Sequence, residues 1–301
     1  MLSLAFVGRP GGRPLSALCL LSALLLGCAT PAGPSARADT ATTTTVDAAQ
    51  VPARWAALQD SPAILLGELH DDPSHPPLQL ALVQTLLAQG RLAALVLEMV
   101  EQGRSTHGLP AQADAAAVQA ALAWSEAAWP WSRYGPSVMA AVAAGVPVLG
   151  GNLPRARMRA VMADAAWDRL LDAPGLATLG EKIRAGHCDL LPPAQIPGMV
   201  RIQVARDRAM AETVLGAWRP GGTVLLLAGN EHVRTDLGVP RHLRQLPLPW
   251  PTRGAAVAAV QLRPPGPSDA PSGAEQVWPT PPQPPRDHCA ALRRQLRQSG
   301  P

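Results

Sequence analysis

A short device that occurs twice constrains this chain more than any other feature. At residues 63–66 an apolar run of strand length, Ala-Ile-Leu-Leu, stops at Gly67 and opens into the polar group Glu68, His70, Asp71 and Asp72. An apolar run of this length, bounded by a glycine, reads as a buried strand. At residues 223–228 a second such run stops at Gly229 and opens into Asn230, Glu231 and His232. Each strand therefore ends in Gly-x-x-His with a carboxylate inside the motif. In an open parallel sheet, ligands bind outside the carboxyl ends of the strands, so the two ends can converge on one pocket although they are far apart in sequence.

The elements between them support that sheet. Residues 78–87 carry apolar residues at helical spacing, with Pro76 and Pro77 at the start and Gly90 just past the end, which are helix start and stop signals. Residues 94–97 form a second buried strand ending at Glu98. Strand, helix, strand in this order implies a parallel crossover, which puts Glu98 at the same sheet edge as Glu68. An Ala-rich helix is expected over 114–128 and another over 137–144, ended by Gly145. A third strand at 147–149 leads into Gly150-Gly151-Asn152. Residues 156–218 read as mostly helical, and a fifth strand follows at 255–262. The Pro-rich run 264–285 allows only a short element at 276–278, and a last helix starts near Asp287. This alternation predicts an α/β fold with a mainly parallel sheet flanked by helices, the helical middle forming a cap or subdomain. The folded domain is expected over residues 59–263, followed by a Pro-rich segment and C-terminal helix at 264–301.

The chain has 301 residues, 47% of them hydrophobic, enough for a substantial core. Its net charge of +4 rests on arginine, since Lys182 is the one lysine, and no run of basic residues makes a phosphate track. A nucleic-acid partner is therefore not expected. Arg9 and Arg13 precede an apolar stretch at 15–26 that is short for a bilayer span but suits a signal-peptide core. It ends in Leu25-Leu26-Gly27-Cys28, similar to a bacterial lipobox. Residues 1–27 are thus expected to be a lipoprotein signal peptide, with Cys28 lipidated and 28–58 a flexible tether. Ala29 after the cysteine favours the outer membrane by resemblance to other lipoproteins, with the domain in the periplasm or at the cell surface. In such an oxidising compartment Cys188 and Cys289 read as a disulfide.

Glu68, His70, Glu98 and His232 lie at or just beyond three expected strand ends. That mix of carboxylate and imidazole suits a divalent transition metal or general acid–base work, and it equally suits helix capping or pairing with arginine. The segment Trp129-Pro130-Trp131-Ser132-Arg133-Tyr134 holds the single tyrosine of an aromatic-poor chain. It reads either as core beneath the cap or as a flat apolar platform for a ferric haem, with Tyr134 as a hard oxygen ligand beside Arg133. Asn152 and Arg155 can bind a carboxylate or phosphate, or cap the next helix. Arg201, Arg206 and Arg208, with Asp207, read as solvated charges on one helix.

Taken in order, Gly67-Glu-Leu-His70-Asp, Leu97-Glu98-Met99, Tyr134-Gly-Pro136, Gly150-Gly-Asn152-Leu-Pro154-Arg155, His187-Cys188, Gln203 with Arg206-Asp207, and Gly229-Asn-Glu-His232 resemble the ChaN family of iron-regulated, haem-binding bacterial lipoproteins. The resemblance covers about residues 60–245. It implies a homodimer in haem or iron uptake, handing haem to an outer-membrane receptor, with two stacked haems in a pocket between subunits. Tyr134 would hold the iron, His70, His232, Asn152, Arg133 and Arg155 would contribute to the cofactor site, and a histidine and lysine of the partner would hold the propionates. Lys182 is the one candidate for that lysine, and an arginine can substitute. The paired motifs also resemble the Tiki and TraB metalloproteases and, more distantly, the erythromycin esterases, in which Glu68, His70, Glu98 and His232 would bind a divalent metal or activate water. A third reading is an interaction module that keeps the scaffold without the chemistry.

Overall fold

The computed structural model describes residues 44–250, 256–265 and 276–298. The expected signal peptide, Cys28, Ala29, most of the expected tether and Ala255 lie outside the described residues. Six strands, β1 (Ala63–Glu68), β2 (Leu92–Glu101), β3 (Val148–Asn152), β4 (Thr223–Gly229), β5 (Ala258–Arg263) and β6 (Gln276–Pro279), form one sheet in the order β3-β2-β4-β1-β5-β6. Every neighbouring pair is parallel.

The strands are apolar throughout because both faces are covered. Successive side chains point to opposite faces, so Ile64, Leu66, Leu225 and Leu227 enter one core, together with Leu82 and Leu86 of α2 (His75–Ala88), Val118 of α3 (Ala115–Leu122) and Tyr134 and Val138 of α4 (Trp131–Ala143). Ala63, Leu65, Leu226 and Ala228 enter the other. That second core is closed by Met210 and Val214 of α7 (Ile196–Ala217) and by Val239 and Leu243 of α8 (Val239–Arg244). Between β3 and α7 lie α5 (Arg155–Ala163) and α6 (Ala173–Gly186), which share two small apolar clusters with α7. These helices stand where the helical cap or subdomain was expected, in the same compact unit as the sheet.

Local chemistry explains where elements stop. After α2, Gly90 has φ +62 and Arg91 N–H donates to the Leu86 carbonyl at 2.8 Å. This left-handed glycine cap satisfies the last carbonyls and turns the chain into β2. The helix expected over 114–128 is shorter, since Ala123 adopts φ 47 and ends α3. Conversely, α4 starts at Trp131, well before residue 137: Trp131 N–H donates to Glu126 Oε2 at 2.9 Å, and Pro136 lies inside the helix. Tyr134 is therefore a helical residue. β2 runs three residues beyond Glu98, and its pairing with β3 shifts register between Leu97 and Glu101. Such irregularities re-aim side chains at sheet ends.

Both flanks of the expected domain are packed. Val46, Trp55 and Leu58, together with Val51 of α1 (Val51–Trp55), join the first core, and Val46 N–H donates to Pro279 O at 2.7 Å. The packed chain therefore starts before residue 59, because Val51 and Trp55 lie four apart on one helical face. β6 carries the fully buried Trp278. Cys188, just beyond α6, forms the expected disulfide with Cys289 of α9 (His288–Gln298). Among the described residues no helix is long and apolar enough to cross a membrane.

Candidate functional site

The three strands that carry the motifs are adjacent, with β4 between β2 and β1. Glu68 pairs in register with Gly229, so the two Gly-x-x-His copies lie side by side at the carboxyl edge. Glu68, His70, Glu98 and His232 come together there as the sequence implies. They form one polar chain. Tyr134 Oη donates to Glu68 Oε1 at 2.6 Å, and His70 Nδ1 lies 2.9 Å from the same oxygen. His70 Nε2 lies 3.6 Å from Glu98 Oε2, and His232 Nε2 lies 3.2 Å from Glu98 Oε1. His232 Nδ1 lies 2.5 Å from Asp207 Oδ1, which ends the chain.

Backbone and neighbouring side chains fix each member. Gly229 N–H donates to Glu98 Oε2 at 2.7 Å. A Cβ at Gly229 would come 2.8 Å from His70 Nε2, so the close approach of His70 requires glycine. Gln79 on α2 donates to Glu68 Oε2 at 2.7 Å. His75 accepts from Leu69 N–H at 3.0 Å, and Ser74 N–H and Oγ donate to Asp72, which sets the loop between β1 and α2. Asn152 Nδ2 donates to Glu98 O at 2.8 Å, pinning the irregular end of β2.

The charges divide by environment. Burial lowers the His232 pKa, but the Glu98 and Asp207 charges outweigh it and raise the pKa to about 10. Burial raises the Glu98 pKa, but the charge and hydrogen bond of His232 outweigh it and hold this carboxyl well below the usual range. Burial pushes Asp207 up to about 6 despite His232. His232 is therefore held as a buried imidazolium between Glu98 and Asp207. His70 differs, because its side chain is 36% exposed. Burial lowers its pKa, but the hydrogen bond to Glu68 and the charges of Glu98 and Glu68 raise it overall. With Nδ1 turned to Glu68, Nε2 lies beside Gly229, 3.6 Å from Glu98 Oε2.

His70 lines two cavities. The first, of about 580 Å³, lies between β2, β3, the end of α3, α5 and α7. Its walls include Met99, Leu122, Trp129, Leu153 and Met158, with Asn152, Arg104, Arg155 and Arg206 among the polar groups. The Trp129 ring meets the His70 ring edge-on at 4.8 Å between centroids. The second, of about 720 Å³, lies on the other side of the motif strands and takes in His232, Glu231, Arg286 and His288.

The structure places Tyr134 and Arg133 elsewhere than the iron site implied by the resemblance. Tyr134 is fully buried in the first core and lines neither cavity. Burial and the Glu68 charge push its pKa well above that of an ordinary phenol, which disfavours the phenolate a ferric ligand needs. Arg133 donates to the Asp72 carbonyl at 2.9 Å and sits 3.8 Å from Glu68 Oε2, behind the motif. The aromatic segment thus divides, with Trp131 and Tyr134 packing as core and Trp129 facing the cleft. Lys182 pairs with Glu231 at 3.0 Å. Asn152 and Arg155 do line the first cavity. Asn152 does not cap α5, whose N-terminal residue is preceded by Pro154 with no side-chain cap. For the divalent-metal reading, no group of three His, Cys, Asp or Glu among the described residues is placed to hold an ion.

Sequence reasoning missed Asp207 as a partner of His232. Arg201 pairs with Asp168 and Arg208 with Glu212, as solvated helix charges do, but Asp207 is 2% exposed. The available signal is Gln203, four residues before Asp207 and so on the same helix face; its amide lies 3.1 Å from His232 Nδ1. Gln79, Arg104 and Arg206 were also missed as parts of the site.

A cleft at the carboxyl edge of a parallel sheet, lined by apolar side chains and several converging polar groups, defines a small-molecule site of the open α/β class. Within that class the chain belongs to the family described as haem-binding uptake, Tiki superfamily, ChaN, whose model matches residues 54–243. Among solved structures it is similar to ChaN of Campylobacter jejuni, a structure describing cofacial heme binding to that protein. The two share 24% identity over 70% of this chain and 84% of that one, with a TM-score of 0.57. Comparison with curated proteins gives no match.

Proposed function

We propose that this chain binds ferric haem in the first cavity, with His70 Nε2 as the nitrogen offered to the iron, and that it serves haem or iron uptake. The observation that carries this is His70 itself, held through Nδ1 by a buried carboxylate at the wall of a cleft that mixes Trp129, Met99 and Leu122 with the arginines Arg104, Arg155 and Arg206. The cavity lies within the roughly 300–1,000 Å³ typical of cofactor sites. A carboxylate on the distal nitrogen fixes the tautomer of a ligating histidine and raises its basicity. When bound, haem would supply an iron centre that a histidine such as His70 would hold. Trp129, Met99 and Leu122 exclude water beside it, Asn152 holds the end of β2, and Tyr134 positions Glu68. His232 keeps Glu98 ionised and in place.

In the same reading Cys28 carries the lipid, the domain sits on the periplasmic or outer face of the outer membrane, and two copies pair before haem passes to a receptor. The lipobox and the family membership support this part.

A hemin titration of the mature chain, followed at the Soret band with total metal assayed on the untreated sample, tests the reading. Saturation near one haem per chain is expected. No saturable shift, together with stoichiometric manganese, zinc or iron, would replace it with a metal-dependent hydrolase.

A further inference from the structure

The first cavity contains more positive charge than its own carboxylates neutralise. Arg104 follows β2, Arg155 opens α5 and Arg206 projects from α7, so three separate elements each bring a guanidinium to one cleft. Elsewhere the basic side chains around the site are engaged: Arg133 lies beside Glu68, Lys182 by Glu231, Arg201 by Asp168 and Arg208 by Glu212. Among the described residues no carboxylate lies within ion-pair distance of Arg104 or Arg206. Arg206 Nε is buried without a hydrogen-bond partner, as is the Nε of Arg91, Arg133, Arg241 and Arg263, but Arg206 alone of these lines the cleft and, among the described residues, lacks an ion pair or hydrogen bond through its other nitrogens. Arg155 is 76% exposed and reaches Glu101 only at 3.9 Å. The other acid on the cleft, Glu98, is saturated by Gly229 and His232.

A buried guanidinium nitrogen without a partner is costly, and native structures keep such groups where a ligand completes them. Arginine also matches planar carboxylates with paired hydrogen bonds better than a lysine does. We infer that Arg104, Arg155 and Arg206 hold the carboxylate groups of the cleft's ligand, so that this chain anchors the acidic edge of the ligand with its own residues and without a partner's lysine. The ligand is thus an apolar ring system with carboxylates on one edge, its body against Trp129, Leu122 and Met99. This rests on the haem reading above and assigns that haem's propionates to arginines of the same subunit.

The test uses two probes, hemin and hemin dimethyl ester, on the mature full-length chain and on Arg104→Ala, Arg155→Ala, Arg206→Gln and a control, Arg208→Ala, which removes an equal charge outside the cleft. Thermal unfolding checks each fold. If Arg206→Gln fails to fold, the exposed Arg104 and Arg155 variants carry the test. The wild type is expected to bind hemin at least roughly 10- to 100-fold more tightly than the ester, as loss of hydrogen bonds to charged groups implies. Arg104→Ala and Arg206→Gln are expected to weaken hemin by about tenfold or more each, leaving the ester and the control unchanged. Equal affinity of wild type for hemin and ester, or cleft variants that bind hemin as wild type does, would overturn the inference and leave the haem reading standing. A wild type that binds neither probe would overturn the haem reading and the inference with it.

Discussion

His70 and His232 occupy equivalent motif positions but differ in burial, and this separates their roles. His232 is charged and enclosed by Glu98 and Asp207. Replacing it with leucine leaves two buried carboxylates without their cation, which costs about 3–5 kcal/mol. His70→Ala removes a partly exposed ring and should cost about 1 kcal/mol or less. Urea unfolding of the two variants checks this, and equal losses would contradict the division. Gly229→Ala should displace His70 and weaken hemin binding with little change in stability at other sites, because its Cβ meets Nε2 before any backbone. At this scale the sequence carried the four motif residues, since each follows a strand end. It did not carry Tyr134 as a partner of Glu68 or Asp207 as a partner of His232, because which face of α4 or α7 meets the sheet depends on packing that spacing alone leaves open.

Among the elements, α8 makes a pH-dependent contribution. Burial, then the charges of Arg208 and Arg241, lowers the His242 pKa to about 4, against an opposing contact from Gln245. The folded chain thus keeps this ring neutral while the unfolded chain protonates it near pH 6.5. Stability therefore falls as pH drops from about 6.5 towards 4, by roughly 3 kcal/mol from this group. In His242→Leu the decline over that window should shrink by about that amount in urea unfolding, and an unchanged decline would refute the assignment. The strands were legible because short apolar runs, three of them ending in Gly67, Gly150 and Gly229, leave little choice. The start of α4 was not, since Pro136 and the Trp-Pro-Trp sequence read as breakers, whereas Pro136 is accommodated within the helix.

Across the whole molecule, the disulfide spans 101 residues between α6 and α9. In the chain-entropy account it restricts the unfolded state by about 4–5 kcal/mol. Reduction, or Cys188→Ser with Cys289→Ser, should lower the melting temperature. It should leave hemin affinity unchanged, because Arg286 and His288 line the second cavity and not the first. A fall in hemin affinity on reduction would place the ligand in the second cavity. The disulfide was legible from the compartment implied by the N-terminus. The packing of residues 46–58 was not, because an Ala- and Thr-rich approach hides the two apolar anchors Val51 and Trp55.

His70, and not the buried Tyr134, is the residue proposed to meet the iron. The most direct measurement is the Soret spectrum of hemin titrated into Tyr134→Phe and His70→Ala side by side. A saturable band is expected to be retained in Tyr134→Phe and lost or strongly shifted in His70→Ala. A band abolished in Tyr134→Phe and intact in His70→Ala would contradict it.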